Sequence, residues 1–203
     1  MTEVQEQTIQ LPAPKQKGRM SIEEAIASRR SRRAYRADPL KLAEAGQLLW
    51  AAQGITDPVE QKRAAPSAAA LYPLEVYLVA TKVEGLAPGV YKYRPEEHDL
   101  VLQTPGNQRR ELAVSMDQDC VRFAACVLVF AGVTERTTVR FGERGVRYVY
   151  MEAAHAAENV QLQATALRLG SVMIGSFKPG EVSHILGLPE GEEPVYLMAL
   201  GKV

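Results

Sequence analysis

The stretch Pro66-Ser67-Ala68-Ala69-Ala70-Leu71-Tyr72-Pro73-Leu74-Glu75 changes character at its last proline. Up to Pro73 it is a run of small side chains bracketed by prolines, which leaves backbone amides open to close approach by a flat or bulky ligand. From Leu74 onward, Leu74-Glu75-Val76-Tyr77-Leu78-Val79-Ala80 is rich in β-branched and aromatic residues and predicts a strand. A loop suited to a ligand therefore feeds directly into a sheet.

Toward the C-terminus the strand signals continue. Val90–Tyr93 and Leu100–Gln103 predict a hairpin around Pro95-Glu96-Glu97-His98-Asp99, and Arg110 to Met116 a short helix. Cys126–Ala131, apolar throughout, predicts a central strand. Thr134–Gly145 is polar and predicts a loop. Between Val146 and Leu169 a long helix carries Ala153, Ala154, Ala157, Val160 and Ala164, with Gly170 able to supply its left-handed end. Gly170–Phe177 predicts a second small-residue loop, Lys178–Gly187 a short helix, and Val195–Leu200 a final strand.

Toward the N-terminus, Ile55–Ala65 is irregular, and Asp38-Pro39 predicts the cap of a helix that Gly54 closes. Ser21-Ile22-Glu23-Glu24 has capping-box spacing, so a helix runs from Ser21 to Arg29 or Arg30. Arg29-Arg30-Ser31-Arg32-Arg33 then falls at the negative pole of that helix, where the dipole tolerates arginine and attracts no anion. Alternating helices and separated strands predict an α+β domain over residues 20–203, preceded by a flexible leader over residues 1–19.

Composition narrows the function classes. The 203 residues carry 24 Lys+Arg against 24 Asp+Glu, so broad attraction to nucleic acid or an acidic membrane is not expected. No segment approaches the roughly 20 apolar residues of a membrane span, and a soluble, cytoplasmic protein is expected. Cys120 and Cys126 start no CxxC pair, and His98, His155 and His184 are isolated, so no metal site is expected. GxGxxG, GxxxxGKS/T and GxSxG are all absent.

The arginine cluster admits three readings. Guanidinium forks pair two N–H donors with phosphate oxygens, and Ser31 adds a hydroxyl. A phosphorylated aromatic cofactor would use the cluster for its tail and the two small-residue loops for its ring. A solvated cluster paired to Glu23, Glu24 or Asp38, or a protein or nucleic-acid contact, fits the same spacing.

Arg29-Arg30-Ser31-Arg32-Arg33-Ala34-Tyr35 resembles the N-terminal Arg-x-Ser-x-Arg/Lys-x-aromatic motif of the FMN-dependent nitroreductase superfamily. Pro66–Glu75 resembles the PSAGALYPLE motif of its SagB/ThcOx-like dehydrogenase branch, and the long helix, Leu169–Gly175 and Ala199-Leu200-Gly201 follow in the same order. The resemblance implies a mainly antiparallel sheet surrounded by helices, in an intertwined homodimer with FMN at the interface. It implies that Arg29 meets the FMN phosphate, with Arg30 as phosphate or structural partner, while Ser31 and Arg33 reach the ribityl chain or ring edge. Pro66, Ser67, Ala68, Ala70 and Leu71 pass beside the ring, Met173, Ile174 and Gly175 line its other side, and Lys202 adds a phosphate ligand. No catalytic acid or base is implied.

The activity implied is hydride transfer from NAD(P)H through flavin N5 to a small organic acceptor such as a nitroaromatic or quinone. SagB-like oxidation of an azoline or related heterocycle, and a flavin-binding regulatory protein with little turnover, are the alternatives. Two departures stand out: Ala70 occupies a position where some nitroreductases have Asn. Ala69 replaces a glycine of the SagB-like motif and argues against a left-handed backbone there.

Overall fold

A computed structural model describes residues 7–203. In chain order the elements are β1 (Thr8–Gln10), α1 (Ile22–Ser28), α2 (Leu42–Gln53), β2 (Ile55–Asp57), β3 (Lys62–Arg63), a 3-10 turn (Ala68–Ala70), β4 (Leu74–Ala80), β5 (Gly89–Arg94), β6 (Asp99–Pro105), α3 (Arg109–Ser115), α4 (Asp119–Phe123), β7 (Cys126–Gly132), α5 (Glu135–Phe141), α6 (Arg144–Ala166), β8 (Leu169–Ile174), α7 (Pro179–Leu186) and β9 (Glu193–Lys202). Seven strands form one antiparallel sheet in the order β1-β6-β5-β4-β7-β9-β8, and β2 and β3 form a separate ribbon.

The α+β class and the helix-wrapped antiparallel sheet agree with the sequence reading. β7 takes an interior place beside the central β4, since every one of its residues is buried and none is charged. Alternation along β4 sends Leu74, Val76 and Leu78 to one face, where α2 and α6 cover them, and Tyr77 and Val79 to the other, under α3, α4 and α7. Each large apolar side chain buried in these layers contributes about 1.5–3 kcal/mol. The alanines of α6, at Ala153, Ala156, Ala157 and Ala164, contribute less burial but let the helix lie close to the sheet.

Helix starts and stops follow side-chain chemistry. At α1 the Glu24 amide donates to Ser21 Oγ at 3.1 Å and the Ser21 amide donates to Glu24 Oε2 at 2.8 Å, the expected capping box. Asp38-Pro39 does not cap α2. Leu40 is fully buried and bridges Val83, which holds the chain extended until Lys41, whose amide donates to Glu44 Oε2 at 2.8 Å. The left-handed residue after α6 is Arg168, at φ 58°, rather than Gly170.

Four other segments depart from expectation. Gly170–Phe177 is not a loop: Leu169–Ile174 is edge strand β8, with Val172 and Ile174 on one face and Leu169 and Met173 on the other. Its glycines make room for Tyr35, whose ring would lie 2.7 Å from a Cβ at Gly201, the partner of Gly170 in β9. Thr134–Gly145 contains α5, Ile55–Ala65 contains the β2–β3 ribbon, and α4 had no sequence counterpart.

The leader is ordered in part. β1 pairs with the outer edge of β6, Leu11 is buried, and Pro12 O lies 3.0 Å from His98 Nε2. An open strand edge beside a short alternating segment accounts for this docking. Residues 1–6 of the expected leader lie outside the described residues. Among the described residues, no helix is long and apolar enough to cross a membrane.

Candidate functional site

Two groups of residues lie on α6. The first is the arginine cluster. Arg29 ends α1, and its Nη1 donates to Gln161 Oε1 at 3.2 Å while Nε stands 3.9 Å from Glu158. Gln161 is 3% exposed, and its Nε2 is buried without a hydrogen-bond partner. Leaving such a donor unmet costs about 1–3 kcal/mol, so an anion received between Arg29 and this amide is favoured by both. Arg29 therefore pairs toward α6, not toward Glu23, Glu24 or Asp38.

Beyond Arg29 the chain runs along the outer edge of the sheet. Ser31 bridges Ser171 in parallel, and the Arg32 amide donates to the Ser171 carbonyl at 2.8 Å. Strand alternation sends the backbone groups of Met173, two residues on, to the same open edge, while Ile174 pairs inward with Leu197. Gly175 follows the end of the strand. Ser31 and the Met173 amide thus share one edge with the Arg29 end of α1.

Other residues of the cluster point elsewhere. Arg30 Nη1 donates to the carbonyls of Ala27 and Arg29 and so finishes the last turn of α1. Arg33 acts on Tyr35 and Cys120, groups of the α3–α4–α7 side of the sheet, and favours their charged forms against the burial that raises both. The Lys202 ammonium lies 2.5 Å from Glu44 Oε1, and both side chains are largely buried.

The second group is the Pro66–Leu71 segment. Pro66, Ser67 and Ala68 wall a hollow whose opposite side is α6 at Tyr148, Met151, Glu152 and His155. Glu152 and Gln161 are about 13 Å apart along the helix at about 1.5 Å per residue, so within one protomer the loop and the arginine cluster are separate. Ala69, Ala70 and Tyr72 have φ of 53°, 54° and 43°, so Ala69 is left-handed despite its methyl. Side chains hold that strain in place. The Tyr72 amide donates to Ser67 Oγ at 2.9 Å, Arg136 Nη1 donates to the Tyr72 carbonyl at 2.9 Å, and the Arg63 guanidinium lies over the Tyr72 ring at 4.8 Å.

Beneath the loop is a carboxyl that the sequence reading missed. Glu152 is 2% exposed, accepts from Gln53 Nε2 at 3.3 Å on Oε1, and has no partner on Oε2. Burial pushes its carboxyl up to about 7, against the opposing pull of Ser67, Gln53, Arg63 and Arg136. Glu152 and Gln161 both fall at core spacing among Val149, Ala153, Ala156, Ala157, Val160 and Ala164. A polar residue on that stripe was the signal that marks them.

Two outcomes follow. A left-handed alanine costs about 1–2 kcal/mol, and the looser unfolded chain of a glycine variant returns about 0.4–1 kcal/mol of that. Ala69→Gly is therefore expected to raise the thermal midpoint by about 1–3 °C, and a fall in the midpoint would contradict the strained turn. For Glu152, the folded chain holds its proton to higher pH than the unfolded chain. Stability is thus lost as pH rises from about 4.5 to about 7, by roughly 3 kcal/mol at most. Glu152→Gln should match the parent in denaturant titrations near pH 4.5 and exceed it above pH 7.

Comparison with known proteins agrees with the ordered motifs on this scaffold. Residues 26–202 match the family model described as the nitroreductase family. A nitroreductase candidate from Methanocaldococcus jannaschii is 42% identical over 195 residues, covering 96% of each chain. The crystal structure of a nitroreductase candidate from Ralstonia eutropha superposes with a TM-score of 0.85 at 28% identity, over 97% of this chain and 89% of the other. The NADPH:FMN oxidoreductase of Vibrio harveyi, complexed with NAD+, shares the fold with a TM-score of 0.64 at 23% identity, over 89% of this chain and 68% of the other. With an antiparallel sheet, an arginine-serine segment bridged to its edge and a family match spanning both, the chain belongs to the nitroreductase family.

Proposed function

We propose that this nitroreductase-family enzyme is an FMN-dependent oxidoreductase that passes a hydride from NAD(P)H to a nitroaromatic, quinone or similar organic acceptor. The observation that carries the reading is the Arg29 guanidinium beside the unpartnered amide of Gln161, at the open edge of β8. A phosphate accepts from both, Ser31 stands next along the strand, and the edge amide of Met173 suits a ring acceptor. The residues present therefore fit a phosphate-tailed planar group. FMN is also the group named for the Vibrio harveyi neighbour.

When bound, FMN supplies a ring that accepts and returns a hydride. The chain's own residues bind and orient. Arg29 neutralises the charge of the tail, Gln161 donates a hydrogen bond to it, and Ser31 serves the ribityl chain or ring edge, while Arg33 reaches it only by leaving the side of Tyr35 and Cys120. Pro66, Ser67, Ala68, Ala70 and Leu71 present backbone to the ring's face. Arg30 remains structural, and Lys202 joins the phosphate only by leaving Glu44. Over a full turnover two electrons and one proton leave NAD(P)H as hydride, and a second proton comes from solvent.

The reading includes a homodimer. The arginine cluster and the Pro66–Leu71 loop are separate within one chain, so a single ligand meets both when a second copy brings its loop to the first copy's arginines. Exposed apolar side chains on the two helices concerned, Ile22 and Ile26 on α1 and Tyr150 and Met151 on α6, suit such a contact.

A second reading, oxidation of an azoline or related heterocycle, is favoured by the likeness of Pro66–Glu75 to the SagB-like motif. It predicts anaerobic bleaching of bound flavin by the heterocycle without NAD(P)H, whereas the leading reading predicts bleaching by NAD(P)H. Purified protein should be yellow, carry FMN rather than FAD, and have the particle mass of two chains. Arg29→Ala should weaken FMN retention at least tenfold through loss of a charge-assisted contact. His98→Ala, near the β1 edge at the far side of the sheet, should not. Equal retention in both variants would refute the phosphate assignment.

A further inference from the structure

The carboxyl of Glu152 has no part in holding a phosphate and is not needed to fill the core. It comes from the middle of α6, is almost wholly buried, and lines the hollow below Pro66 and Ser67. Oε1 is used by Gln53, whose own Oε1 takes Arg63 Nη1 at 3.4 Å, so this side of the carboxyl is fixed. Oε2 has no partner. The Ser67 hydroxyl lines the same hollow, is among the groups that favour ionisation of the carboxyl, and already accepts the Tyr72 amide.

A serine hydroxyl has one proton to donate and two lone pairs. No hydrogen bond joins the two in this structure, but an ionised Glu152 would draw the Ser67 proton toward Oε2 and out of the hollow. A protonated Glu152 would instead donate to Ser67 Oγ and release the Ser67 hydroxyl to donate into the hollow. The Tyr72 amide bond is kept in both arrangements, so the strained loop does not have to move.

We propose that Glu152 is a positioning residue for the ligand of this hollow: its proton sets the direction in which Ser67 donates, and so whether the loop offers a hydroxyl donor. The ligand class is a planar heterocycle with carbonyl or ring-nitrogen acceptors, and this rests on the FMN reading above. The charged groups that bear on the carboxyl are Arg63 from β3 and Arg136 from α5, both favouring ionisation, while Tyr148 and His155 of α6 line the hollow itself. Burial opposes the two arginines and keeps the proton near neutrality.

The test has two readouts. In ligand-free protein, an infrared carbonyl band of a neutral carboxylic acid should persist above pH 6, be absent from Glu152→Gln, and shift in Ser67→Ala. In FMN titrations followed by flavin fluorescence, wild-type affinity should fall about tenfold between pH 6 and pH 8, the loss of one hydrogen bond. Glu152→Gln, whose amide donates to Ser67 at every pH, should keep the tight value throughout, and Ser67→Ala should show the weak value throughout. A band that vanishes with the ordinary carboxylates near pH 4.5 overturns the proposal. So does a pH dependence of FMN affinity that survives in Glu152→Gln. Failure of wild-type protein to bind FMN at any pH overturns the functional reading, and with it the ligand named here. Normal FMN binding that does not change with pH overturns the proposal alone.

Discussion

The hydrogen bond from the Arg32 amide to the Ser171 carbonyl fastens the segment after α1 to the last strand of the sheet. Without that bond and its neighbour, Arg36 to the Lys202 carbonyl at 2.9 Å, the arginines would be a solvated run at a helix end. With them, Tyr35 is laid over Gly170 and Gly201, and Arg29 is turned onto α6. Only the first part of the β8 edge is covered in this way. The chain thus uses a short parallel contact to leave a strand edge open beside a guanidinium, an arrangement that neither the helix nor the strand supplies alone.

The polar residues on the inner side of α6 have to be explained as a cost. Gln161 and Glu152 each bury an atom with no partner, and each such atom costs about 1–3 kcal/mol. Leucine or alanine at either place would be more favourable for folding alone. The two costs fall where α6 meets Arg29 and the Pro66–Leu71 loop, the two groups proposed to hold the ligand.

Sequence pattern revealed most of the fold because α1, β4, β7 and α6 have local chemistry that agrees with their final places. The capping box at Ser21 and the apolar run of β7 needed no tertiary information. β8 was misread because its glycines and serine look like a loop until Tyr35 is known to cover them. The Asp38-Pro39 cap was displaced by Leu40, whose burial against Val83 outweighs a local capping preference. Of the candidate site, the arginine-serine cluster was marked by charge and spacing with three readings open, and Arg29 and Ser31 within it were singled out by the family resemblance. Glu152 and Gln161 were not, since their importance lies in burial and in what fails to reach them.

The Pro66–Tyr72 loop combines these constraints. Three residues with positive φ, none of them glycine, would relax if free, at a gain of about 1–3 kcal/mol each. They are restrained from three sides: Arg63 over the Tyr72 ring, Arg136 on its carbonyl and Ser67 on its amide. Arg63 is itself anchored to Glu96 at 3.0 Å, and Arg136 to Glu75 at 2.5 Å, so the restraints lead back to β4 and the β5–β6 turn. Loop and sheet are therefore one rigid unit. A ligand on the loop would meet a preformed surface, in which the hydroxyl proton of Ser67 is the group proposed to be left free to change.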